Sequence, residues 1–186
     1  MPMFRSAVFG RIALAYGMGI ALPISLSAQP ARPVAATSNI ESFVQNFYNW
    51  YAPMAIRGGG DQSAWEVAIK KKGSLFTPQL LKALKADSDA QAKTPGEIVG
   101  IDFDPFLSSQ DPVKRYVVGK VVQDGDKYLI EIFGVQPGKM KERPDVIAEV
   151  TALEGKFQFS NFNYQKNRDL LDVLKKLAAD RARPQK

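Results

Sequence analysis

The chain reads as an α+β domain: three amino-terminal helices, a four-stranded, curved antiparallel meander and one carboxy-terminal helix. Three observations carry that reading. Apolar residues recur at three- and four-residue spacing as far as about residue 93. From about residue 115 the spacing becomes two, with Asp124-Gly125 and Glu154-Gly155-Lys156 as turn signals between paired runs. After Tyr164 the helical spacing returns. Helices on the concave side of a bulged, curved sheet would form an open cone.

The opening segment reads as an address. Arg5 and Arg11 have no acid near them, residues 12–26 are mostly apolar and broken by Pro23, and Ser25, Ser27 and Ala28 are small. That order is the pattern of a cleaved secretory signal. The apolar run is short of the ~20 residues a membrane span needs. Cleavage is expected after Ala28, with Ala36 as second choice and an uncleaved anchor as the alternative. The expected organisation is a signal peptide at residues 1–28, a flexible leader at 29–37, a single domain at 38–179 and a frayed tail at 180–186. The expected product is a periplasmic or secreted protein without a membrane span after signal cleavage.

Removal of residues 1–28 leaves 158 of the 186 residues, enough for one domain that buries about 70% of its unfolded surface. Formal charge falls from +6 to +4, because Arg5 and Arg11 leave and no acid does. So small a balance does not call for an anionic partner, and no nucleic-acid motif is present, so no nucleic-acid partner is expected. The chain has no cysteine. Disulfides and a lipid-modified bacterial amino terminus are therefore excluded.

Ser38 and Glu41 have capping-box spacing at the start of the first helix. Ile40, Phe43, Val44, Phe47, Tyr48, Tyr51 and Met54 form its apolar face, and Pro53 with Gly58-Gly59-Gly60 is expected to end it. Tyr48 and Tyr51 are either at the edge of a core helix or part of an aromatic-lined pocket. Trp50 lies off the strict stripe; it is either an exposed interface anchor or packed under the 58–61 loop. A second helix over residues 62–72 opens with Ser63 and Glu66 at the same spacing and turns Trp65, Ala68 and Ile69 inward. The third opens at Thr77-Pro78 and buries Leu80, Leu81 and Leu84, with Lys82, Lys85, Asp87 and Asp89 assigned to water.

Strands are expected at residues 115–122, 128–135, 146–153 and 157–164. Phe157 and Phe159 share one parity and Phe162 and Tyr164 the other, which predicts a bulge near Ser160-Asn161. A final helix begins at Asn167 or Asp169, with Leu170, Leu171, Leu174 and Leu177 inward.

Between helices and strands lies GEIVGIDFDPFLSSQDP, residues 96–112. Its prolines forbid a long helix, and its mixture of acids and large apolar residues predicts an ordered, partly buried loop. Asp102, Asp104 and Asp111 are the candidate functional residues here, because a buried carboxylate needs donors, a partner charge or a metal. Three carboxylates suit calcium, yet the glycine and the bidentate glutamate of an EF-hand loop are missing. A structural role without tight metal is expected.

FYNWYAP, LFTPQLLKALKAD, the 96–112 block and NFNYQKNRDLLDVLKKL together resemble the exported bacterial family catalogued as domain of unknown function 3828, within a nuclear-transport-factor-2-like architecture. The resemblance covers most of residues 38–178 and implies the cone. It brings no catalytic residues, and the chain departs from the family's lipoprotein members in lacking cysteine.

No histidine and no cysteine means no Ser-His-Asp triad, no thiol nucleophile, no conventional zinc site and no usual haem ligation. Gly58-Gly59-Gly60 lacks the lysine and hydroxyl of a phosphate loop. No cofactor is expected. The reading is a non-catalytic envelope protein that binds another protein as an accessory or inhibitor. The alternative is a small-ligand binder, or an enzyme built on carboxylates and tyrosines in the cone interior. A closed interior would favour the first, an open one with inward acids the second.

Overall fold

The computed structural model describes residues 34–57, 62–138, 141–165 and 168–183, all within the unit Pro33–Lys186. The expected signal at residues 1–28 and Gly58-Gly59-Gly60 lie outside these residues. The architecture is α+β. Helices α1 (Val34–Arg57), α2 (Ala64–Lys71) and α3 (Pro78–Ala92) come first, with a short 3-10 turn at Gly73–Leu75. Strands β1 (Tyr116–Asp124), β2 (Lys127–Gly134), β3 (Val146–Leu153), β4 (Lys156–Tyr164) and β5 (Arg168–Asp169) follow, and α4 (Leu170–Arg181) ends the fold. The strands form one antiparallel sheet in chain order. The two-residue β5 is the strand that period-two reading misses, being too short to show a period.

Helix α1 departs from expectation at both ends. It opens at Val34, inside the expected leader, so Ser38 and Glu41 lie within it instead of capping it. It also continues through Pro53. Proline removes one helical amide and crowds the carbonyl four residues back, but Tyr51 and Ala52 are buried and Met54 and Ala55 pack on the core. Tertiary burial outweighs the local break. Tyr48 and Tyr51 are not at the helix edge: both are fully buried.

The other starts are as the sequence gives them to be read. Glu66 accepts the Ser63 amide at 2.9 Å, and Thr77 caps α3 by accepting from the Leu80 amide at 3.4 Å. Asp169 caps α4 by accepting from the Asp172 amide at 3.0 Å. Both hairpin turns have two residues. Gly125 takes a positive φ of 60° at the first central position, one residue later than expected, and Glu154 and Gly155 both take positive φ in the second turn.

The bulge of β4 falls at Ser160, since Glu149 pairs with Asn161 and Val150 with Phe159. It brings Phe159, Phe162 and Tyr164 to the same buried face despite their mixed parity. A second bulge at Gly119-Lys120 in β1 has no counterpart in the sequence reading. Ile130, Ile132, Val146, Ala148 and Val150 complete that face, and α1, α3 and α4 pack with the sheet around one core.

Asp87 corrects the assignment of that residue to water. It is 1% exposed, and Arg181 Nη1 lies 2.7 Å from its Oδ1. The Ile101 amide donates to its other oxygen at 2.9 Å, and Arg181 also donates to the Val99 carbonyl at 2.7 Å. Gly100 is needed for this approach: a Cβ there would lie 2.8 Å from Asp87 Oδ2. Arg181 is thus held in α4, although the tail was expected to fray from residue 180. Arg181→Ala is expected to lower stability by about 3 kcal/mol, because it leaves a buried charge without its partner. Arg183→Ala, which removes the exposed pair with Asp180, should change it by less than about 0.5 kcal/mol. Urea denaturation of the two variants separates the cases, and equal small effects would remove the pair from the account.

Candidate functional site

Residues 96–112 form the ordered, partly buried loop that their composition predicts, and its centre is buried in Pro105, Phe106 and Leu107. A non-regular segment in a core must find donors for its carbonyls. Here tyrosines supply them. Tyr48 Oη donates to the Phe106 carbonyl at 2.9 Å, and Tyr164 Oη donates to the Pro105 carbonyl at 2.8 Å. Tyr51 Oη donates to Asp104 Oδ2 at 2.5 Å. The other oxygen, Oδ1, accepts the Phe106 and Leu107 amides at 3.0 and 3.1 Å. Asp104 also closes the loop through its own backbone, its amide donating to the Ser109 carbonyl at 3.0 Å.

The Phe106 side chain anchors this turn. Its ring stacks on Phe76 at 5.2 Å, meets Tyr51 edge-on at 5.2 Å and lies 4.9 Å from Phe162. Helix α1, the segment before α3 and strand β4 therefore converge on one loop residue.

Burial holds the Tyr48, Tyr51 and Tyr164 hydroxyls well above their ordinary pKa, and the neighbouring Asp104 charge adds to it. All three act as donors at physiological pH. Asp104 is pushed up to about 6 by desolvation, against the opposing pull of its bonds from Tyr51, Phe106 and Leu107.

The other candidate acids do not join it. Asp102 and Asp111 are exposed, and among the described residues no three acids stand close enough to share a metal ion. The loop is closed instead by Ser109, whose carbonyl accepts from the Asp104 amide, and by Gln110, whose Nε2 donates to the Asp102 carbonyl at 3.1 Å. Asp104 alone behaves as a carboxylate that ties the loop through backbone amides.

Outward from Asp104 lies a surface recess of about 540 Å³, with Trp65, Glu66, Ile98, Asp102 and Phe103 on its walls. Ile98 is 78% exposed. Glu66 is already occupied, accepting from the Ser63 amide and hydroxyl and from the Ser88 hydroxyl. Trp50 is half-buried, its ring 6.2 Å from Phe47 and 6.3 Å from Tyr51, with Lys72 Nζ 5.7 Å from its centroid.

Tyr164 is the site residue that sequence reading missed. The signal was present in the parity slip of β4, which turns Tyr164 inward, but nothing local tells its hydroxyl to meet Pro105. No family model, curated protein or solved structure matches the chain.

Two outcomes test this arrangement. The folded state holds a proton on Asp104 up to about pH 6, against 3.8 for an ordinary aspartate. The unfolded chain releases that proton first as pH rises, so this group's contribution to stability falls between about pH 4 and 6, by on the order of 2–3 kcal/mol, and is then constant. Asp104→Asn keeps an acceptor for the two amides and a polar atom for Tyr51. It should match the parent near pH 4 and exceed its denaturation midpoint at pH 8. Parallel pH profiles would contradict the assignment. Trp50→Ala should lower stability by about 2 kcal/mol, as a half-buried large ring does when truncated; an unchanged melting midpoint would make Trp50 a surface residue.

Proposed function

We propose that the protein is exported and acts without chemistry, by binding another protein of the envelope as an accessory or inhibitor. The observation that supports the reading most is a filled interior. The largest fully buried side chains include Tyr48, Tyr51, Phe76, Phe106, Phe159 and Phe162, which occupy the space where a cone would hold a ligand. The tyrosine hydroxyls that could orient a substrate are spent on the loop. What the surface offers instead is shallow recesses between elements, the material of a protein interface. The amino-terminal segment supports export, and the resemblance of the sequence blocks to an exported family of unknown function points the same way.

A second reading has one observation in its favour. A carboxylate raised to about 6 at the wall of a recess, bonded to a tyrosine, has the character of a general base. Against it, each carboxylate oxygen of Asp104 already accepts from the protein itself.

Native mass spectrometry of protein purified from its own host separates the readings. The expected result is a mass that begins near Gln29, with no retained metabolite and a co-purifying protein at fixed stoichiometry. A stoichiometric small molecule that is lost in Asp104→Asn would establish the second reading. An intact Met1 or Pro2 would remove the export proposal.

A further inference from the structure

The protein-binding reading leaves open which surface is used and what it recognises. At the Asp104 recess Glu66 and Asp104 are bonded within the chain, which leaves Asp102 as its one free carboxylate among the described residues. A second recess differs. It lies between the last turn of α1, the segment that leads into β1 and the chain leaving β2, and has a volume of about 570 Å³. Ile56, Pro112, Val113, Val135 and Pro137 make its apolar floor. Lys114 and Arg115 stand on its rim, both exposed. Neither side chain has a hydrogen-bond or ion-pair partner among the described residues.

Three features make this a place for a partner. Ile56 is 40% exposed on the turn of α1 that follows Pro53. Core packing does not require an isoleucine there. The walls are fixed before anything binds: the Val135 amide donates to the Arg115 carbonyl at 2.8 Å, and the Val113 amide donates to Tyr116 Oη at 3.3 Å. A preformed apolar hollow spares the ordering entropy that weakens association. Finally, two unpaired cations at the rim select the sign of the partner.

We infer that this recess docks a segment of the partner protein that carries an apolar anchor side chain flanked by acidic residues. The anchor enters the Ile56–Val113–Val135 hollow, and its carboxylates meet Lys114 and Arg115. An anionic bilayer fits less well, since lipid recognition uses clusters of about 4–8 basic residues. A nucleic acid fits less well again, because no aromatic side chain lines the recess for stacking.

The inference rests on the protein-binding reading, and the test keeps the two apart. A photo-reactive benzoylphenylalanine is placed at Gln136 in this recess and, separately, at Gln110 in the Asp104 recess, in the full chain expressed in its own host. The crosslinked peptide is then identified by mass spectrometry. The expected result is an adduct from position 136 to an acidic, apolar protein segment. Lys114→Glu with Arg115→Glu should lower its yield by about tenfold, while Lys82→Glu with Lys85→Glu leaves it unchanged; all variants are checked for an unaltered melting midpoint. An adduct with lipid, with a basic segment or with a second copy overturns the inference, as does a yield indifferent to the Lys114 and Arg115 reversal. A protein adduct from position 110 alone overturns it and leaves the protein-binding reading standing. No adduct from either position overturns both.

Discussion

Three phenolic hydroxyls that meet the segment from Asp104 to Phe106 set the terms for the rest of the molecule. A loop without regular backbone pairing can enter a core only if its carbonyls find donors, since each unsatisfied polar group costs about 1–3 kcal/mol. Tyr48 and Tyr164 satisfy Phe106 and Pro105 from opposite parts of the chain, one on α1 and the other at the end of β4. Asp104 collects Tyr51 and two amides of its own turn. With its polar groups satisfied, the turn can carry the Phe106 ring into the aromatic cluster where helices and sheet meet. The turn at Pro105, Phe106 and Leu107 is an inner part of the packing.

A second tie holds the start of the same segment. Asp87 and Arg181 bring α3 and α4 together over the Val99 carbonyl and the Ile101 amide. The loop is thus gripped at 99–101 and again at 104–107, and the Asp104 recess lies beside these two grips. Such walls favour recognition by fixed shape. The basic recess at the last turn of α1, which shares Pro112 with the Asp104 recess, is built in the same manner, on the Val135 amide to the Arg115 carbonyl and the Val113 amide to the Tyr116 hydroxyl, with Lys114 and Arg115 unspent among the described residues.

Much of the fold was legible because local chemistry and tertiary demand agree. Ser63-Glu66 and Thr77-Pro78 mark helix starts that the structure keeps, and the parity slip from Phe159 to Phe162 announces a bulge found at Ser160. Where they disagree, long-range contacts decide. Asp87 sits seven residues after Leu80 and three after Leu84, on the buried stripe, but its charge argued for water; the partner that reverses this is 94 residues away. Pro53 argued for an end to α1, and the burial of Tyr51 and Ala52 carried the helix past it. Of the three candidate acids, spacing could not tell which would face inward. Only Asp104 has Tyr51 opposite it, and that meeting depends on how α1 crosses the loop.

Hydrogen exchange at the Phe106 and Leu107 amides tests the central claim most directly, because both donate to Asp104 and both lie in a segment that is neither helix nor strand. If the tyrosine-held turn is part of the cooperative core, these two amides exchange only through global unfolding, with the same protection as the Ile130 and Ile132 amides of the central sheet. Exchange through local opening, with protection well below that of β2 while the sheet stays closed, would contradict it.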